Sequence, residues 1–297
     1  MDLSTFDSFK TAAARGAKEL SGGELRALQL RLCGILDDIS AVCEAEKVDW
    51  TLGGGSALGA VRNGGFIPWD DDLDVNMPRG DWPRFRAAFE RRFGGKYAVY
   101  EPGSPRGYPL AFPRIRLRGT SYVTREDVLE PDLDRGVFVD VFMMDGTFDG
   151  RLLRTAHGLG SLALGFLYSC RKHFHERRLL REWGLDGAAF RLKRAVGLLL
   201  APLPLGAWTR LWDRWNALCR NADSRLATFP VGRRHFFGEL AAREGMRGTR
   251  EGTFEGRKVR LPADVESYME RLYGADYMTP PPEGKRERHI VFPPFAP

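Results

Sequence analysis

The sequence predicts an α+β protein with a basic helical region set between two segments of a catalytic core. Three observations carry this. Residues 1–148 alternate helical and strand-like apolar patterns. Residues 149–222 read as helix and are rich in lysine and arginine. Residues 223–297 return to Gly-rich and Pro-rich stretches around one further helix, and complete the core. At 297 residues and 43% hydrophobic content, the chain can bury one large core or two small ones.

The elements follow in order. Ser21-x-x-Glu24 is a capping box. It opens a helix in which Leu25, Leu28, Leu32, Ile35, Leu36, Ile39, Val42 and Cys43 keep helical spacing. Trp50, Thr51 and Leu52 form a short strand into a glycine run, and a helix spans 57–62. Asp81 and Pro83 start the next helix, through Phe85, Phe89 and Phe93. Strands are expected at 97–101, 113–118, 121–124 and 137–144, and a helix at 263–273. No internal repeat is visible. Between 151 and 215, twelve lysines and arginines face four acids. The apolar runs at 159–170 and 196–208 are too short, or too broken by Pro202 and Pro204, to span a bilayer.

A net charge of +6 and a pI near 9.2 point to anionic partners. Nucleic acid is not favoured, because no RNA-binding motif accompanies the charge. Cys33, Cys43, Cys170 and Cys219 lack zinc-site spacing, so neither zinc nor a disulfide framework is expected. The first twenty residues have no apolar core, which argues against a signal peptide and for a cytoplasmic protein.

The chemistry concentrates in GGGSALGAVRNGGFIPWDDDLDVNM, residues 53–77, which sets Asp70, Asp71, Asp72 and Asp74 close together. In a strand Asp72, Asp74 and Asn76 share one face and Leu73, Val75 and Met77 the other. The two carboxylates then stand roughly 6–7 Å apart along the strand. That is suited to one Mg²⁺ or a pair of ions about 3.5–4 Å apart. The competing reading is a solvated acidic loop. An EF-hand is excluded, since Val75 replaces the required glycine and Asp81 the required glutamate. Asp140, inside the apolar run VFVDVF, needs a partner once buried: a shared metal, or one of the many arginines. Gly54, Gly55 and Ser56, ahead of a helix N-terminus, favour a phosphate, and Arg62 adds positive charge. Together these residues describe metal-dependent phosphoryl or nucleotidyl transfer.

The stretch 53–79, followed by FVDVFMMDG, resembles the LicD family of phosphotransferases, whose animal relatives include fukutin and fukutin-related protein; residues 254–289 also look family-like. The resemblance implies a nucleotidyltransferase-like mixed sheet flanked by helices. It implies transfer of a phosphorylated alcohol such as phosphocholine from a CDP-linked donor to a glycan hydroxyl, releasing CMP. Asp72 and Asp74 would hold Mg²⁺ or Mn²⁺ with Asp70 as an outer helper, and Asp140 would be a further ligand or the base. Gly54, Gly55 and Ser56 match the phosphate loop, while Lys285, Arg286 and His289, at family-like spacing, would fold back onto the donor's phosphates; the alternative is a solvated basic tail. The Cys-rich zinc element of the animal relatives is missing, so no structural zinc is expected. A nucleotidyltransferase that attaches NMP to a small molecule, sugar or RNA would use the same carboxylates. A catalytically dead adaptor is disfavoured by the intact Asp72, Asp74 and Asp140. The basic region is expected to rest on anionic membrane at the inner face, near a lipid-linked glycan acceptor; the alternative is a set of core helices with solvated arginines.

Overall fold

The computed structural model describes residues 18–104, 107–283, 286 and 291–297. The helices are α1 Gly22–Glu46, α2 Gly54–Asn63, α3 Trp82–Phe93, α4 Arg151–His175, α5 Arg177–Glu182, α6 Ala188–Leu199, α7 Leu205–Asn216 and α8 Val265–Tyr273, besides shorter turns. The strands are β1 Thr51–Leu52, β2 Asp74–Pro78, β3 Tyr97–Tyr100, β4 Arg114–Leu117, β5 Ser121–Val123, β6 Phe138–Gly146, β7 Leu226–Thr228, β8 Ala241–Ala242, β9 Arg250–Phe254, β10 Arg257–Leu261 and β11 Phe292–Ala296.

The main sheet runs β1-β2-β6-β4-β3, with β7 on β6 and β8 on β7. The β2–β6 pair is parallel and the other pairs antiparallel, so the sheet is mixed. Val75, Met77, Ile115, Val139, Val141 and Met143 bury one face of it in the core. Leu28, Leu32, Ile35, Leu36 and Ile39 of α1 belong to the same core, on the helical spacing read from the sequence. The capping box is formed: Ser21 Oγ accepts from the Glu24 N–H, and the Glu24 carboxylate accepts from the Ser21 N–H. This core takes residues from 28–144 and from 227–291 and none from the helical stretch between them. Burial thus ties the third segment of the chain back to the first.

The middle helices pack on one another through small residues. A Cβ at Gly197 of α6 would lie 2.1 Å from the Cys170 carbonyl oxygen of α4, so the backbones nearly touch there. Gly160 and Gly165 make room for the indoles of Trp215 and Trp212 from α7. A buried ion cluster joins this unit to the sheet domain: Lys172 Nζ lies 3.0 Å from Glu126 and 3.6 Å from Glu176, and Arg125 2.7 Å from Glu126. Tyr168 adds a hydroxyl bond to the Pro109 carbonyl at 2.5 Å. Among the described residues, no helix is long and apolar enough to cross a membrane.

One local expectation changes, and one strand finds a partner that the sequence did not assign. The helix expected at 57–62 begins at Gly54, so Gly54, Gly55 and Ser56 form its first turn rather than a loop before it. The strand near 121–124 pairs with β11 rather than with the main sheet. The chain end therefore has a partner, and Phe292 also stacks on Trp183 with ring centroids 5.6 Å apart. Pattern alone does not reveal which strand finds which edge.

Candidate active site

Strand register builds the site. Asp140 of β6 lies beside Asp74 in the parallel pair and beside Arg114 of β4 in the antiparallel one. Residues paired across a ladder point to the same face. Asp74, Asp140 and Arg114 therefore form a row on the face opposite the core, extended on the β2 side by Gly53, whose N–H donates to the Asp74 carbonyl at 2.9 Å. Arg114 grips Asp140 through both oxygens, Nε to Oδ1 at 2.6 Å and Nη2 to Oδ2 at 2.8 Å. Its guanidinium carbon sits 3.5 Å from the Phe138 ring centroid. Arg114 Nη1 is buried without an acceptor among the described residues. The partner required by the apolar strand around Asp140 is thus an arginine already in place.

The aspartates converge from the loop ahead of β2. Oxygens of Asp70, Asp71 and Asp72 lie within 4.8 Å of one another. Asp71 is buried and accepts the hydroxyl bond of Tyr122, so its oxygens serve β5 as well as the cluster. Gln29 of α1 fixes the loop by donating to the Asp70 carbonyl at 2.9 Å. The Asp74 carboxyl is pushed well above the usual carboxylate range, first by burial, then by the charges of Asp72, Asp140 and Asp70; Arg114 opposes this incompletely. Asp70, Asp71 and Asp72 form an all-oxygen set able to hold a hard divalent cation, whose charge would relieve their repulsion and that on Asp74.

The glycines turn out to be spacers for these side chains. A Cβ on Gly54 would lie 2.9 Å from Asp74 Oδ2, and one on Gly55 2.9 Å from Asp70 Oδ2; on Gly53 it would strike Asn76 Oδ1 at 2.6 Å. Gly54 also has φ of +42°, a left-handed conformation. The carboxylates can therefore approach the positive N-terminus of α2, where they are favoured. Ser56 is buried and its Oγ accepts from the Asp74 N–H at 2.9 Å, fixing the start of β2.

Other candidates fall as follows. Arg62 occupies the last turn of α2 and donates to the Tyr277 carbonyl at 3.1 Å. Burial lowers its pKa, while Tyr273 and Asp70 act in the opposite sense. Arg286 stacks over Trp69, immediately before Asp70, at 4.3 Å from the ring centroid. Lys285 and His289 lie outside the described residues. Sequence reading missed Arg114, Tyr268 and Tyr273, and gave Asp71 no role of its own. The Tyr268 hydroxyl accepts from the Gly54 N–H at 3.1 Å and from Asn76 Nδ2 at 3.3 Å, and Tyr273 Oη lies 3.8 Å from the position of a Gly54 Cβ. The one available signal for Arg114 was alternation: in PRIRLR an arginine at every second position inside a strand points inward on one face.

Residues 47–103 match the family described as LicD/FKTN/FKRP, nucleotidyltransferase domain. The chain carries a LicD-family segment. Within it lie the α2 glycines, the aspartate loop and β2, while Arg114 and Asp140 come from beyond the matched residues. The lipopolysaccharide cholinephosphotransferase LicD of Haemophilus influenzae is 52% identical over 61 residues, 20% of this chain. That aligned stretch spans 23% of the relative's length.

Proposed function

We propose that the protein transfers a phosphorylated alcohol, phosphocholine or a close analogue, from a CDP-linked donor to a hydroxyl of a cell-surface glycan or its precursor. The observation that carries this reading is the register that sets Asp74, inside the matched residues 47–103, beside Asp140 from beyond them and against the glycines of α2. Asp70, Asp72 and Asp74, with Asp140, would hold Mg²⁺ or Mn²⁺, whose charge would neutralise the donor's phosphates.

The protein's own groups have separate tasks. The N–H groups of Gly55 and Ser56, in the first turn of α2, would meet the donor's anionic phosphate oxygens. Arg286 on Trp69 and Arg62 near Asp70 bring positive charge to the same rim. Arg114 steadies Asp140 in the free protein and can turn to a phosphate when Asp140 takes the acceptor's proton. In that step the acceptor oxygen bonds to the alcohol-bearing phosphorus, the bond from that phosphorus to the CMP oxygen breaks, and the hydroxyl proton passes to the carboxylate. CMP departs with the electron pair.

The test is mass spectrometry of purified protein offered CDP-choline, CDP-ethanolamine, CDP-ribitol or CDP-glycerol with a glycan acceptor. Divalent-dependent CMP release, with the acceptor gaining the phosphoalcohol, is expected. An acceptor that instead gains CMP would make the protein a nucleotidyltransferase.

A further inference from the structure

α4 is built inside out. Its buried residues include His157, Gly158 and Ser161, and Ser161 Oγ donates to Asn216 Oδ1 at 2.6 Å. Its outward residues are apolar: Leu152 is 86% exposed, Leu159 57%, Leu162 37% and Phe166 39%. Residues seven apart lie on one helical face. Thr155, Ala156 and Ala163 fill the stripe, so it carries no charge over four turns. Arg154 bends away to the carbonyls of Phe148 and Asp149. Small and polar groups inside with apolar groups outside is the reverse of a helix packed in water, and is the pattern of helices whose surroundings are apolar.

The pattern extends beyond α4. Eleven of the fourteen large apolar side chains exposed among the described residues lie between 152 and 218, among them Leu198 and Leu199 at the end of α6 and Leu203 in the following turn. Exposed basic groups accompany them: Arg151, Arg178, Arg181, Arg191 and Arg214, with Asp186 the acid that Arg181 and Arg191 act on. Exposed apolar side chains and exposed arginines in one helical stretch match a bilayer surface, with acyl chains below and acidic headgroups around. A second copy of the chain would bring these same arginines against one another.

We propose that the outward face of the α4–α6 unit docks on a membrane rich in acidic phospholipid. This stands apart from the reading of the active site, since none of the residues involved touches the aspartates. The experiment is vesicle co-sedimentation of the full chain with phosphatidylglycerol–phosphatidylcholine vesicles and with phosphatidylcholine alone. One variant is Leu152→Gln/Leu159→Gln/Phe166→Gln; the other is Arg151→Gln/Arg178→Gln/Arg181→Gln. Wild type should bind the anionic vesicles at low salt and release as salt rises. Each variant should lower partitioning about tenfold or more. Circular dichroism reports folding, and the single change Leu152→Gln, at a nearly free side chain, should still lower partitioning severalfold. Three results overturn the proposal: no binding at low salt, binding indifferent to both Leu152→Gln and the triple apolar change, or a wild-type dimer by light scattering that the apolar variant dissociates.

Discussion

Replacing Arg114 by methionine removes the cation that grips Asp140 through both carboxylate oxygens. The two side chains are only 6% and 10% exposed, and both carboxylate oxygens are engaged, at 2.6 and 2.8 Å. Breaking a buried pair from one side strands the other charge and costs about 3–5 kcal/mol. Arg114→Met should therefore destabilise the protein by about that amount in urea unfolding without divalent ions. Asp140→Asn keeps one acceptor for the guanidinium and should cost about 3 kcal/mol, the lower end of the same range. The double variant should regain most of the loss, because both charges then leave together. A further arm tests the chemistry. A ligand that binds only the folded state stabilises it by RT ln(1 + [L]/Kd), so tighter binding gives a larger shift at one concentration. If Asp140 shares a cation with Asp74, Mg²⁺ should raise the stability of Arg114→Met more than that of wild type. An Arg114→Met protein within about 1 kcal/mol of wild type would refute the argument that Asp140 needs this arginine. Equal Mg²⁺ shifts in the two proteins would remove Asp140 from the metal site.

Two further outcomes are expected. Burial pushes Glu239 up to about 7, while the Arg234 N–H that it accepts opposes the shift; the folded state then binds more protons than the unfolded one between pH 4.5 and 7, and stability falls as pH rises through that window by about 3 kcal/mol, a slope that Glu239→Gln should remove from urea titrations and that would disprove the assignment if it persisted unchanged. Gly54→Ala meets both a left-handed φ of +42° and the Asp74 carboxylate, whereas Gly64→Ala meets a φ of +69° and open space; both should cost about 1–2 kcal/mol of stability, but only Gly54→Ala should abolish turnover in the CMP-release assay.

Much of the sheet domain was legible in the sequence because its signals are local. The capping box, the heptad-like leucines of α1 and the apolar alternation around Asp74 and Asp140 each act within one element. The aspartates declared themselves for a related reason: so many carboxylates beside an apolar strand are costly without a cation or a partner. Their partners were a different matter. That Arg114 faces Asp140, that Tyr122 takes Asp71, and that Tyr268 reaches the first N–H of α2 depend on pairings 26, 51 and 214 residues apart in the chain. The glycines before Ser56 read as a phosphate loop, yet their spacing from Asp70, Asp74 and Asn76 gives them a second reason to lack a side chain. The helical region shows the same division. Its sequence fixed neither reading, since apolar residues at helical spacing suit a core or a membrane alike. Only the packing of Gly160, Gly165 and Gly197 inward decided that Leu159, Leu162 and Phe166 point out, because close backbone approach at the glycines leaves the opposite face uncovered.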